Sequence, residues 1–167
     1  MSCKCLNDVV DVIGLGECED IDLTENLSWT EISIPEVFYI PCEKPEIETI
    51  DKVFVKVDII SKRLVDTPAP PNATDENQEG TRLSGKKLVI EGILKQRVVY
   101  TADVPQQTVH SAHFCKPFSA FIVIDPADIA EEKFDVETCI EDVFIMPINK
   151  KKIFKNVTLF LRAIPCN

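Results

Sequence analysis

"KVFVKVDIIS", residues 52–61, alternates without a break: Val53, Val55, Val57 and Ile59 fall on one side of an extended chain, Lys56 and Asp58 on the other. A period of two is the mark of a β-strand with one buried face. Reading outward, "KKLVIEGILKQRVVYTAD" (86–103) resumes the pattern, with Leu88, Ile90, Leu94, Val98 and Tyr100 on one face and Gly92 as a point for a kink. "FDVETCIEDVFIMP" (134–147) and "KIFKNVTLFLRAI" (152–164) read as a hairpin turning at Asn149 to Lys151. In its first arm Phe134, Val136, Ile140 and Phe144 share a face, with Asp135, Glu137, Cys139 and Glu141 opposite. The second arm is apolar on both parities, Val157, Leu159 and Leu161 against Phe154 and Phe160, so it is either a central strand covered twice or one that meets another molecule.

The remaining stretches fit the same picture. "LSWTEISIPEVFYIP" (27–41) sets Leu27 and Trp29 on one parity and Ile32 and Ile34 on the other, which predicts a bulge or bend. "QTVHSAHF" (107–114) and "PFSAFIVI" (117–124) read as two short strands cornering at Lys116 and Pro117. Asp125 followed by Pro126 is an N-cap and first-turn signal for a single helical turn. Roughly six to eight strands with one apolar face each must cover that face with a second sheet. The expected fold is all-β: a two-layer antiparallel β-sandwich, jelly-roll-like, over residues 27–167. Before it, residues 1–26 form an extended N-terminal arm, and residues 66–86, rich in Pro, Asn, Glu and Gly, are expected to be a mobile surface loop.

Composition narrows the function classes. The chain has 167 residues, 45% hydrophobic and 28% charged, which suits one folded domain. A net charge of −10 would repel a phosphate backbone, and "KKK" at Lys150 to Lys152 is the one basic cluster, so nucleic acid is excluded as a partner. No apolar run approaches the roughly 20 residues of a membrane helix, and the N-terminus lacks a signal peptide's basic-then-apolar pattern. The expectation is a cytoplasmic product with no membrane partner.

Seven cysteines, Cys3, Cys5, Cys18, Cys42, Cys115, Cys139 and Cys166, cannot all pair within one chain. Cys3, Cys5 and Cys166 lie at the termini, away from any core, and are candidates for joining one molecule to another. Cys18, Cys42, Cys115 and Cys139 are candidate receiving partners, while Cys42, Cys115 and Cys139 also read as small buried hydrophobes. A metal site has weak support: His113 and Cys115 share a strand face, His110 points away, and CxC is not the usual zinc spacing. The same His113 and Cys115 are too generic for a nucleophile and base. "GLG" at Gly14 to Gly16 lacks the rest of a phosphate loop, and the sequons at Asn72 and Asn156 mean little without a secretion signal. No enzyme and no cofactor is expected.

The segment "KLVIEGILKQRVVYTADVPQQTVHSAHFCKPFSAFIVI" (87–124), with "IPCEKPEIETIDKV" upstream and "IEDVFIMP" downstream, resembles the SipL-type (SPOCS) domain family of endospore-forming bacteria, over roughly residues 27–164. The resemblance implies a spore-envelope protein concerned with assembly or anchoring of coat layers, and it offers no catalytic motif to carry over. The anchoring protein that names the family is longer and carries other modules, whereas this chain is a lone domain with many cysteines. The expectation is therefore a self-assembling structural subunit of the spore surface (coat, exosporium or appendage). Its apolar stretch "DVVDVIGLG" (8–16) would dock on a neighbouring copy, and intermolecular disulfides would lock the contact. The alternatives are an adaptor tethering another spore-coat protein, and a small metal-binding protein using the arm cysteines.

Overall fold

The structure, a computed structural model, describes residues 10–24, 27–69 and 82–166. Its strands are β1 (Asp11–Ile13), β2 (Trp29–Tyr39), β3 (Ile47–Asp66), β4 (Lys86–Ala102), β5 (Val109–Val123), β6 (Phe134–Asn149) and β7 (Lys152–Pro165). They form a four-stranded sheet in the order β1-β3-β4-β5 and a three-stranded sheet in the order β2-β7-β6. The sheets face one another with β3 beside β6 and β2 beside β5, which is the expected sandwich. Among the described residues no helix is long and apolar enough to cross a membrane.

The connectivity departs from the jelly-roll-like expectation. A jelly roll passes repeatedly between sheets, whereas here β3, β4 and β5 follow one another as a meander and β6 and β7 as a hairpin. Strands consecutive in sequence tend to be neighbours in space. The sandwich is also not wholly antiparallel, because β1 runs parallel to β3.

The period-two faces point where the sequence places them. Val53, Leu88, Ile90, Leu94, Val98 and Tyr100 are buried between the sheets, with Val57 and Ile59 packed against them. Tyr100 keeps its hydroxyl satisfied by donating to the Pro45 carbonyl at 3.0 Å. β7 is the middle strand of its sheet, and Val157, Leu159 and Leu161 fill the core while Phe160 is covered on the outer face by Trp29, ring centroids 5.9 Å apart.

Four local expectations are corrected. β2 is unbroken: its two apolar parities arise because Ile32 and Ile34 face the core while Trp29 lies on Phe160 outside. β5 runs straight through Lys116 and Pro117, since β5 is an edge strand and Pro117 there forfeits no ladder bond that the sheet needs. Gly92 does not kink β4; the irregularity lies in β3 between Ile59 and Ser61, and the Phe118 ring packs where a Gly92 Cβ would stand. In β6 a bulge between Ile140 and Asp142 exchanges parities, turning Val143 inward and leaving Phe144 exposed.

The short-range turn signals hold. Asp125 accepts from the Ala127 N–H at 2.9 Å and opens the 3₁₀ turn Pro126–Asp128, and the Asn149 side chain accepts from the Lys151 N–H in the β6–β7 turn. Most of the 66–86 loop, like the sequon at Asn72, lies outside the described residues, although β3 continues to Asp66 and β4 begins at Lys86.

Candidate functional site

The arm closes one side of the sandwich. β1 adds to the free edge of β3, pairing Asp11, Val12 and Ile13 with Lys52, Val53 and Phe54. At Gly14 the chain leaves that edge with φ +116°, so close to β3 that a Cβ would stand 2.0 Å from the Val55 carbonyl oxygen. Only glycine fits both the angle and the space. Two residues on, the Gly16 N–H donates to the Ile140 carbonyl of β6 at 3.0 Å, so residues 13–16 bridge from one sheet to the other. Cys18, opening the 3₁₀ turn Cys18–Asp20, is then joined by a disulfide to Cys139 on the outer face of β6, with Cα atoms 5.8 Å apart.

Beyond the disulfide the chain stays on the outer face of the three-stranded sheet. Arg162 of β7 donates to the Asp22 carbonyl and pairs with Glu137. Hydrogen bonds from Thr24 hold the Asp22 carboxyl below the usual carboxylate range. Nearby, burial and the Glu31 carboxylate raise the pKa of Glu141.

This geometry revises the cysteine assignments. Cys18 and Cys139 are bonded to each other within the chain, so neither serves as a receiving partner for a neighbour. Over residues 10–24 the arm lies on its own body, pairing with β3 and tied to β6 of the same chain. Cys3 and Cys5 lie outside the described residues.

Cys42, Cys115 and Cys166 are free thiols and all are exposed, so Cys42 and Cys115 are not the buried small hydrophobes that they also read as; Cys139 is buried, but as half of a disulfide. Cys42 lies in the β2–β3 connection, at the end of the sandwich where Lys151 donates to the carbonyls of Pro41 and Lys44. Cys166 follows β7 at the opposite end, where its N–H donates to the Lys133 carbonyl at 3.0 Å and its side chain bonds Asp135. The length of β7 separates the two ends by roughly 45 Å at 3.3 Å per residue. Cys115 sits on the outer face of the four-stranded sheet in a groove of about 420 Å³ lined also by Phe54, Lys56, Lys95, Arg97 and His113. Arg97 lies over the Phe54 ring at 4.0 Å, and Lys95 pairs with Asp58.

The ligand geometry for a metal is sparse. His113 and Cys115 project from β5 to the same side, while His110 turns inward, stacks on Tyr100 and bonds Thr108 at 2.9 Å. Among the described residues no three His, Cys, Asp or Glu side chains converge.

Sequence reasoning missed one polar element. Lys155 shares the inward parity of Ile153 and Val157 and is wholly buried, its ammonium 3.6 Å from Glu36, which also accepts from Gln96 at 3.0 Å. Burial lowers the Lys155 pKa to about 8, against the pull of Glu36. The signal was legible in "IFKNVTLFL", where a lysine occupies a core position of the alternation.

No curated protein and no solved structure matches the chain. A family model does: that of the SipL, SPOCS domain, over residues 46–148, a span that takes in β3, β4, β5 and all but the last residue of β6 and leaves out the arm, β2 and β7. The match is narrower than the resemblance over residues 27–164 but covers the same central block, and the family is sporulation-associated. With this all-β sandwich across that span, the chain belongs to the SipL (SPOCS) family.

Proposed function

We propose that the chain is a non-catalytic structural subunit of an endospore's outer layer, whether coat, exosporium or surface appendage, in which copies are joined by intermolecular disulfides. The observation that carries this reading is the placement of the free thiols: Cys42 and Cys166 at opposite ends of one rigid sandwich and Cys115 on its side. A subunit with linkable groups at both ends extends when joined head to tail, and a third group on the flank connects neighbouring rows. The internal Cys18–Cys139 bond supports it further, since it shows a pair suited to the oxidised state. Family membership supplies the spore context, and the protein would be made in the mother-cell cytoplasm and oxidised once exposed to the exterior.

The test is non-reducing electrophoresis and electron microscopy of purified protein after mild oxidation. Ladders that survive boiling in denaturant and collapse on reduction are expected. Cys42→Ser and Cys166→Ser should each shorten them, and Cys115→Ser should remove branching. A monodisperse monomer under oxidising conditions overturns the reading and leaves the adaptor role, whereas stoichiometric zinc lost to a chelator would point to the metal-binding one.

A further inference from the structure

The arm covers only half of the outer face of the three-stranded sheet. It lies over the end marked by Cys139, Phe160 and Arg162. Among the described residues no segment lies over the other half, which is apolar: Val37 and Tyr39 from β2, Phe154 from β7, and Phe144, Met146 and Ile148 from β6. Val37, Phe154 and Met146 stand side by side across the sheet, as do Pro35, Asn156 and Phe144, and the Phe144 and Phe154 rings are 6.1 Å apart. At 41% to 62% exposure, the uncovered side chains other than Phe154 leave roughly 450 Å² of apolar surface. A patch of that size on a monomer is often functional.

The charges on this face are sorted by position. Glu17, Glu19, Asp20 and Asp22, all exposed, ride on the arm at one end, and Lys152 stands beside Tyr39 at the other, while Lys150 is held by Asp103 and Glu46 and Lys151 by the carbonyls of Pro41 and Lys44. We propose that this face is an isologous interface between two copies of the chain, related by a twofold axis that crosses β7 at right angles near Lys155. Such an axis lays the Val37–Phe154–Met146 row of one copy over the Pro35–Asn156–Phe144 row of the other. It carries the arm of each copy, raised above the sheet at the level of Phe160 to Arg162, past the partner's apolar half to Lys152 at its far end. Acidic arm then meets Lys152 twice, once at each end.

The step made by the arm selects this axis. A twofold axis parallel to the strands would bring arm against arm, hold the apolar halves apart, and set Lys152 against Lys152. The apolar area with the two contacts between arm and Lys152 approaches the roughly 800 Å² per partner of a stable interface. The inference rests on the self-assembly reading and names a contact that needs no cysteine: a noncovalent pair whose thiols remain free for linking.

The experiment uses the full chain with Cys3, Cys5, Cys42, Cys115 and Cys166 replaced by serine, so that only the Cys18–Cys139 bond can form. Sedimentation equilibrium should give twice the chain mass over the micromolar range. Phe144→Glu, at an exposed position that the fold does not need, should weaken the pair by roughly tenfold or more. Lys152→Glu should also weaken it, and adding Glu19→Lys with Asp20→Lys should restore it, because the charges are then exchanged on both sides. A chain that stays monomeric at roughly 0.5 mM, a dimer indifferent to Phe144→Glu, or open-ended oligomers would overturn the proposal. If the serine chain is monomeric while the wild-type chain still forms reducible ladders, this contact fails and cross-linking stands. The reverse result separates them the other way.

Discussion

Cys18 and Cys139 are 121 residues apart in sequence and joined by a disulfide that pins the arm to the outer face of β6. Between them lies most of the sandwich, so the bond restrains the unfolded chain over a loop of 121 of its 167 residues. With only Cys18 and Cys139 retained, reduction is expected to lower the unfolding free energy by about 3–5 kcal/mol. Guanidinium unfolding with and without reductant measures it; a change below about 1 kcal/mol would mean that the arm stays docked and the unfolded state is little restrained.

The pairing illustrates where legibility stopped. An odd cysteine count was plain, but which two meet depends on the arm crossing from β3 to β6, a path of a few residues around Gly14 that no spacing announces. Cys139 looked like a member of a polar face, and its parity was right: it does point away from the core. It is buried because the arm lies over it.

Gly14→Ala meets both a left-handed φ and the Val55 carbonyl. The arm must shift, and a cost of about 1–3 kcal/mol is expected, confined to β1 and its pairing with β3. Hydrogen exchange should show lost protection in residues 11–16 with β4 and β7 unchanged. Uniform loss across the sandwich would contradict a local role for the arm.

Lys155 gives a signed pH dependence. Its folded pKa of about 8 lies below the unfolded value near 10.5, so between these the unfolded chain holds the extra proton and stability rises with pH. Below about pH 8 the cost of burying the charge is constant, about 3 kcal/mol relative to high pH. Lys95 and Lys150, raised by their carboxylate partners, act in the opposite sense as they titrate at higher pH. Comparison with Lys155→Met/Glu36→Gln therefore isolates the buried pair. The double variant should match or exceed the wild type near neutrality and lack the rise between pH 8 and 10.5; equal slopes in both proteins would refute the assignment.

Tyr100→Phe removes a buried donor and leaves the Pro45 carbonyl without it. A loss of about 1–2 kcal/mol in thermal or denaturant unfolding is expected, with no change in oligomeric state. A neutral substitution would mean that water replaces the hydroxyl.

The sequence by itself determined the strands and their inward faces, from Val53 to Ile59, from Leu88 to Tyr100 and along β7, because alternation is a local consequence of the extended backbone. It also placed the Asp125 cap and the Asn149 turn, which involve neighbours two residues apart. Only the tertiary structure decided that the strands form a meander and a hairpin instead of a jelly roll, that the β6 bulge turns Phe144 out, that Lys155 finds Glu36, and that Cys18 meets Cys139. Each of these depends on which distant segment arrives beside which, and that is settled by burial and chain path over many tens of residues, where a period of two carries no information.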